Sequence, residues 1–158
     1  MIADPTRAAV VHEARTWIGT PFHHQARVKG AGVDCLGLVW GTGETCAVMP
    51  AVSATDAKPF WRFYGRRPNP SVMRECLAKF LVEIPRDQVQ PGDMAWTHWN
   101  EVRMPIHMSI FADHPQGGLS VIHAMWDMGV VEHVLADAFN DRIVACWRYP
   151  GLVKAEAA

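Results

Sequence analysis

The chain contains no Cys-x-x-Cys pair, and its four cysteines, at positions 35, 46, 76 and 146, are widely and irregularly spaced. That spacing argues against a zinc ribbon and against a disulfide framework, so reduced thiols are expected. No stretch approaches the roughly 20 consecutive apolar residues that a bilayer-spanning helix needs, so membrane insertion is not expected. The opening residues, Met1-Ile2-Ala3-Asp4-Pro5-Thr6-Arg7, show no charged segment followed by an apolar run. The expectation is therefore synthesis in the cytoplasm without a standard export route. An excess of one charge is also lacking. The formal net charge is −1, which gives no global field for nucleic acid or an anionic membrane. The one basic cluster, Arg62, Arg66 and Arg67, reads as a solvated loop. His23 and His24 beside Cys35 match no common zinc spacing, so neither a metal nor a cofactor is expected.

What is present is ample apolar material: 49% of 158 residues, without internal repeat or low-complexity segment. That supports one core and a single domain over 1–158. Asp4 as cap, Pro5 at the first position and Gly19 as stop predict a helix from Thr6 to Ile18, with Ala9, Val10, Ala14, Trp17 and Ile18 on its apolar face. Residues 19–33 read as loop. A second helix begins at Cys35 and ends near Gly41–Glu44. Residues 45–69 form a proline-punctuated excursion with aromatic anchors Phe60, Trp61, Phe63 and Tyr64. Pro70 and Ser71 open a third helix, with Val72, Met73, Cys76, Leu77, Phe80 and Leu81 on one face. From Ile84 the pattern becomes strand-like over 94–97, 107–112, 119–125, 130–134 and 142–149. Gly117-Gly118 and Asp127-Met128-Gly129 join neighbouring runs as turns. Helices first and strands after predict an α+β domain with a mostly antiparallel sheet. The tail from Lys154 is expected to fray.

Chemistry concentrates around Cys35, in Gly32-Val33-Asp34-Cys35-Leu36-Gly37-Leu38-Val39. Asp34 is an N-cap residue type, which puts the thiol in the first turn of a helix. Free N–H groups and the positive helix end favour a thiolate there, by on the order of 1 kcal/mol. A nearby imidazolium must supply the rest. His107 opens one apolar run and His123 lies near the end of the next. If the runs pair as a hairpin, both rings fall on one sheet face, against which the cysteine helix can pack. The arrangement is then Cys35 as nucleophile, His107 as general base and acid, and His123 as the group that orients His107. The Cys35 N–H becomes an oxyanion donor, and the reaction class is acyl transfer to water through a thioester. The competing reading is of core histidines and a buried helical thiol. Of the tryptophans at 96, 99, 126 and 147, two are expected in the core, with Trp99 or Trp126 as candidates for a cleft wall.

Several segments, in order, resemble the NlpC/p60 family of cell-wall cysteine peptidases. Ala14-Arg15-Thr16-Trp17-Ile18-Gly19-Thr20-Pro21-Phe22 is similar to the segment before the nucleophile. Asp34-Cys35-Leu36-Gly37-Leu38-Val39 resembles the nucleophile motif, with Leu36 in place of the usual serine. Pro91-Gly92-Asp93-Met94 resembles the entry to the sheet. His107-Met108-Ser109-Ile110-Phe111 resembles the general-base strand, and Ile122-His123-Ala124 the segment of the third polar residue. The resemblance implies a papain-like α+β fold. It also implies cleavage of peptidoglycan stem peptides, usually between D-glutamate and the diamino acid. Phe22 stands where many members carry a tyrosine, and His23-His24-Gln25-Ala26 replaces a usual Gly-Gly segment. Asp34, Phe22, His24 and Gln25 are accordingly expected to line the substrate and oxyanion region, with His24 or Gln25 replacing the missing hydroxyl. The His-Gln-Ala element with Asp-Cys-Leu-Gly-Leu-Val resembles the branch found in phage tails and gene transfer agents. That implies delivery to the wall within a particle, with tail tip or hub proteins as partners. Two alternatives stand beside this reading: an amidase or acyltransferase on the same fold, and a structural tail-tip adaptor with weak or no catalysis.

Overall fold

The computed structural model describes residues 6–50, 64–65, 69–98 and 105–157. Phe60, Trp61, Arg62, Phe63, Arg66, Arg67 and Trp99 lie outside the described residues. The first helix, α1 (Arg7–Arg15), is capped by Thr6, whose hydroxyl accepts from Ala9 N at 3.1 Å. Asp4 and Pro5, expected as cap and first helical position, lie outside the described residues. Val10, Val11 and Ala14 are buried on its inner face. Ile18, expected on that face, lies beyond the helix end and is 47% exposed.

The expected loop at 19–33 contains a small antiparallel pair, β1 (Arg27–Val28) with β2 (Gly32–Val33). It delivers the chain to α2 (Cys35–Thr45). Asp34 caps α2 by accepting from Gly37 N at 2.8 Å, a bond worth about 1 kcal/mol. Gly37 lets the loop sit against the first turn, because a Cβ there would lie 2.2 Å from the Ala26 carbonyl oxygen. The third helix, α3 (Pro70–Ala78), is capped by Asn69 and buries Met73 and Leu77.

A six-stranded sheet follows, in the order β3-β8-β4-β5-β6-β7. Its strands are β3 (Val82–Ile84), β4 (Met94–His98), β5 (Pro105–Asp113), β6 (Leu119–Met125), β7 (Gly129–Val134) and β8 (Ile143–Arg148). All its pairings are antiparallel. The short β3 was not legible as a strand, since Val82, Glu83 and Ile84 are too few to show an alternation. A four-residue helix, α4 (Asp137–Asn140), connects β7 to β8, and α5 (Pro150–Ala157) continues the chain as helix where fraying was expected. Leu152 of α5 is buried, which ties it to the core.

Period-two alternation divides the sheet residues between two clusters. Met94, Trp96, Met108, Ile110, Ile122, Ala124 and Trp147 pack with Leu36, Leu38, Val39 and Trp40 of α2. Ala95, Phe111, Val121 and Cys146 face the other way, with Phe139 of α4. Trp96 and Trp147 are thus core residues. Asp93 does more than hold its turn. It accepts from Gln90 N at 2.8 Å, and it also pairs with Arg148 through two contacts of 2.9 Å and with Arg7 at 3.0 Å, all at a fully buried carboxylate.

Candidate active site

Cys35 opens α2 and His107 lies near the start of β5, and both line a cavity of about 570 Å³. The thiol is half-buried and free, as are the other three cysteines. Its Sγ lies 4.0 Å from the carbonyl oxygen of Ile106, and the N–H of Met108 points at the same sulfur. These two backbone groups flank His107. Helix and histidine nevertheless do not meet across one shared face, as the sequence reading expects. α2 covers the even positions of β5 and β6, whereas His107 and His123 occupy odd positions, in phase with Phe111 and Val121 of the second cluster. The cysteine instead comes to the end of β5 through its backbone.

Behind His107 stands His123, fully buried. The Nε2 of His107 lies 2.7 Å from Nδ1 of His123, and the rings meet edge to face with centroids 5.0 Å apart. Burial lowers the His107 pKa to about 4, with a smaller contribution from the charge of His133. Burial lowers His123 further, to about 2, helped by its histidine neighbours. Both rings therefore rest neutral.

The thiol departs from expectation in the opposite direction. Burial raises its pKa to about 12, and the charge of Asp34 adds to the rise. The N–H groups of Met108, Leu36 and Cys35 itself pull downward, without compensating for lost hydration. The helix terminus contributes as expected but is outweighed, because desolvation of a charged form exceeds a surface dipole effect. Burial thus favours a neutral thiol and a neutral imidazole over a preformed ion pair.

The expected substrate-side residues group around Asp34, which is 2% exposed. Its Oδ1 takes the Gly37 N–H, and its Oδ2 takes the Gln25 N–H at 2.7 Å. Gln25 adopts a positive φ of 60° to make this contact. Its side-chain Nε2 donates to the Tyr64 carbonyl oxygen at 2.7 Å and is exposed. His24 lines the cavity, with Nδ1 3.8 Å from Asp34 Oδ2 and its ring edge-to-face on Tyr64 at 5.4 Å. Phe22 lines the same cavity and is fixed by a parallel bridge to Val33. Asp34 is therefore first an acceptor that locks loop to helix.

Two residues were missed or left open by the sequence reading. Tyr64 enters the cavity and donates its hydroxyl to Asp34. A phenol thus returns to the site from the excursion and not from position 22. Tyr64 appeared only as one of several aromatics, and nothing local distinguished it. Trp126, at the β6–β7 turn, lines the cavity and is 77% exposed. Among the described residues, no three His, Cys, Asp or Glu side chains form a metal-holding group, and no helix is long and apolar enough to cross a membrane.

No family model matches the chain, and no curated protein does. Solved structures do. An NLP/P60-family protein, similar to lipoprotein, from Staphylococcus aureus subsp. aureus Mu50 aligns with a TM-score of 0.58 at 16% identity over 92% of this chain. The alignment spans 42% of that protein's length. The NlpC/p60 domain of the peptidoglycan hydrolase SagA aligns with a TM-score of 0.53 at 21% identity, covering 82% of this chain and 90% of that domain. Ly7917, solved with the hydrolyzing product of MDP, aligns at 0.53 and 12% identity over 92% of this chain and 63% of its own. Helices on an antiparallel sheet, in the arrangement shared with these structures, give the chain the papain-like α+β fold of NlpC/p60 domains.

Proposed function

We infer that the chain is a cysteine peptidase that hydrolyses peptidoglycan stem peptides. The observation that carries this reading is the alignment of Cys35 and His107 on one cavity, with buried His123 hydrogen-bonded behind His107 at 2.7 Å. A nucleophile, a base and a group that orients the base are the parts acyl transfer requires. The descriptions of SagA as a peptidoglycan hydrolase and of Ly7917 with the hydrolyzing product of MDP support the substrate class. A cavity of about 570 Å³ falls in the size range of small-ligand sites and suits a short peptide.

In this mechanism the Cys35 proton passes to His107 as the sulfur attacks the scissile carbonyl. A neutral pair makes the transfer concerted with attack. Negative charge forms on the carbonyl oxygen, where the Cys35 and Leu36 N–H groups at the start of α2, which bond the resting sulfur, can receive it. His107, now cationic and steadied by His123, returns the proton to the leaving amine. Water then repeats the sequence on the thioester, releasing the acid and restoring the thiol. The proposed bond is that between D-glutamate and the diamino acid. Delivery as part of a phage-like tail, with tail tip or hub partners, is proposed from the His24-Gln25-Ala26 and Asp34-Cys35-Leu36-Gly37 segments.

The deciding experiment is digestion of purified diaminopimelate-type peptidoglycan by wild type and Cys35→Ala, read by mass spectrometry. A fragment cut within the stem, absent from the mutant, is expected. Release of the whole stem from the sugar would replace peptidase by amidase. No product from either protein would favour the structural reading.

A further inference from the structure

Beyond His123 the hydrogen-bonded line continues to a residue outside the expected triad. The Nε2 of His123 lies 2.8 Å from the Nε2 of His133, on β7, and the Nδ1 of His133 lies 3.0 Å from the carbonyl oxygen of Val134. The register explains how a residue ten positions away arrives there. Val131 sits opposite His123 across the β6–β7 pair, and His133 is the next residue on the same face, within diagonal reach. Phe139 packs edge-to-face on both rings, at 5.6 Å from each, and holds the two in line. His133 itself is exposed, so the line runs from the buried site to the surface.

We propose that His133 is a positioning residue that sets the tautomer of His107 through His123. Each nitrogen–nitrogen contact needs one N–H and one lone pair, and a neutral imidazole carries one of each. The Val134 oxygen can only accept, so Nδ1 of His133 bears the hydrogen and its Nε2 accepts. His123 must then donate from Nε2 and accept at Nδ1. His107 must donate from Nε2, which leaves Nδ1 as its basic nitrogen, the one that takes the thiol proton in the proposed mechanism. The reverse order would turn the Nδ1 lone pair of His133 against a carbonyl lone pair. Burial keeps His107 and His123 neutral, so each has a single hydrogen to place. When His107 becomes cationic, its bond to His123 strengthens and the polarisation extends along the line.

This inference rests on His107 as the general base, and its test does not depend on turnover. Nitrogen-15 NMR at pH 8 reads imidazole tautomers directly in the full chain. Wild type is expected to show His107 and His123 protonated at Nε2 and His133 at Nδ1. His133→Phe keeps an aromatic ring at an exposed position but removes the acceptor. It is expected to mix the tautomers of His107 and His123 and to lower kcat about tenfold with KM unchanged. His133→Gln supplies a carbonyl oxygen as acceptor and is expected to restore both readouts. A wild-type spectrum with His107 protonated at Nδ1, or tautomers unmoved in His133→Phe, would overturn the assignment. If no peptidoglycan product forms at all, the NMR result still decides it.

Discussion

Tyr64 donates its hydroxyl to the carboxylate of Asp34, joining the end of the excursion to the N-cap of the cysteine helix. Asp34 also takes the N–H groups of Gly37 and Gln25, so one buried side chain ties three segments together beside the thiol. Its charge raises the Cys35 pKa. Asp34→Asn removes that charge while keeping a capping oxygen. The expected outcome is a lower thiol pKa, read by ultraviolet thiolate absorbance across a pH titration. Tyr64→Phe keeps the ring against His24 and removes the donor, leaving a buried oxygen short of one partner. It should cost about 1 kcal/mol of stability in denaturant unfolding and reduce kcat/KM about tenfold. Unchanged kinetics would separate Tyr64 from the reacting centre.

The raised thiol makes a second measurement decisive. A thiol with a pKa of about 12 holds roughly one part in 100,000 as thiolate at pH 7. Alkylation of Cys35 by iodoacetamide should therefore be slow at neutral pH and keep accelerating beyond pH 10. Rapid alkylation at pH 6, insensitive to further alkali, would mean a preformed thiolate–imidazolium pair. Cys46 and Cys146 are buried and raised to about 11, so Cys35→Ala provides the background rate.

Acid stability follows from the two lowered histidines. His107 and His123 start from 6.5 and fall to about 4 and about 2 in the folded chain. Between 6.5 and 4 the unfolded chain binds protons that the folded one refuses, so stability rises with pH there. The contribution is fully present above pH 6.5 and is lost as pH falls, through about 4 for His107 and about 2 for His123. Urea midpoints measured from pH 8 to pH 4 should decline, and His107→Gln should flatten the decline. A midpoint independent of pH over that window would contradict the burial assigned to these rings.

Much of this architecture was readable because the informative residues are local. Asp34 before Cys35, Pro70-Ser71 before an apolar face, and Gly117-Gly118 or Gly129 at turns each act within a few residues. The alternation in β5 and β6 also placed His107 and His123 on a common face. What escaped is non-local. Tyr64 meets Asp34 across 30 positions and Arg148 meets Asp93 across 55, and no spacing rule reports such pairs. His133 lies exposed near the end of β7, and only the register of β6 on β7 reveals its contact with His123. The direction of the Cys35 shift was missed for a related reason. A helix terminus is visible in sequence, but the burial that outweighs it depends on the strand and loop packed around the sulfur.

The buried Asp93 cluster gives a prediction independent of activity. Its carboxylate is fully buried and holds Arg148 through two bonds, Arg7 through one and the Gln90 N–H. Asp93→Ala leaves the 8% exposed Arg148 without its carboxylate. Loss of one member of a buried pair costs about 3–5 kcal/mol. Chemical denaturation should show a loss in that range, with the far-ultraviolet spectrum of the folded fraction unchanged.

Trp126 isolates substrate binding from folding. It stands 77% exposed on the β6–β7 turn while lining the cavity that holds Cys35 and His107. A large aromatic left in water gains nothing for the fold, so removal should cost less than about 0.5 kcal/mol. Against a bound stem peptide the same ring would supply apolar contact, on the order of 1–2 kcal/mol. Trp126→Ala is therefore expected to raise KM roughly tenfold with kcat and thermal midpoint nearly constant, as for a residue that binds substrate without moving the proton. Steady-state kinetics on a soluble stem peptide, paired with thermal melts, reads both quantities. A fall in kcat with KM unchanged would assign Trp126 to the geometry of the reacting centre and not to the cleft wall.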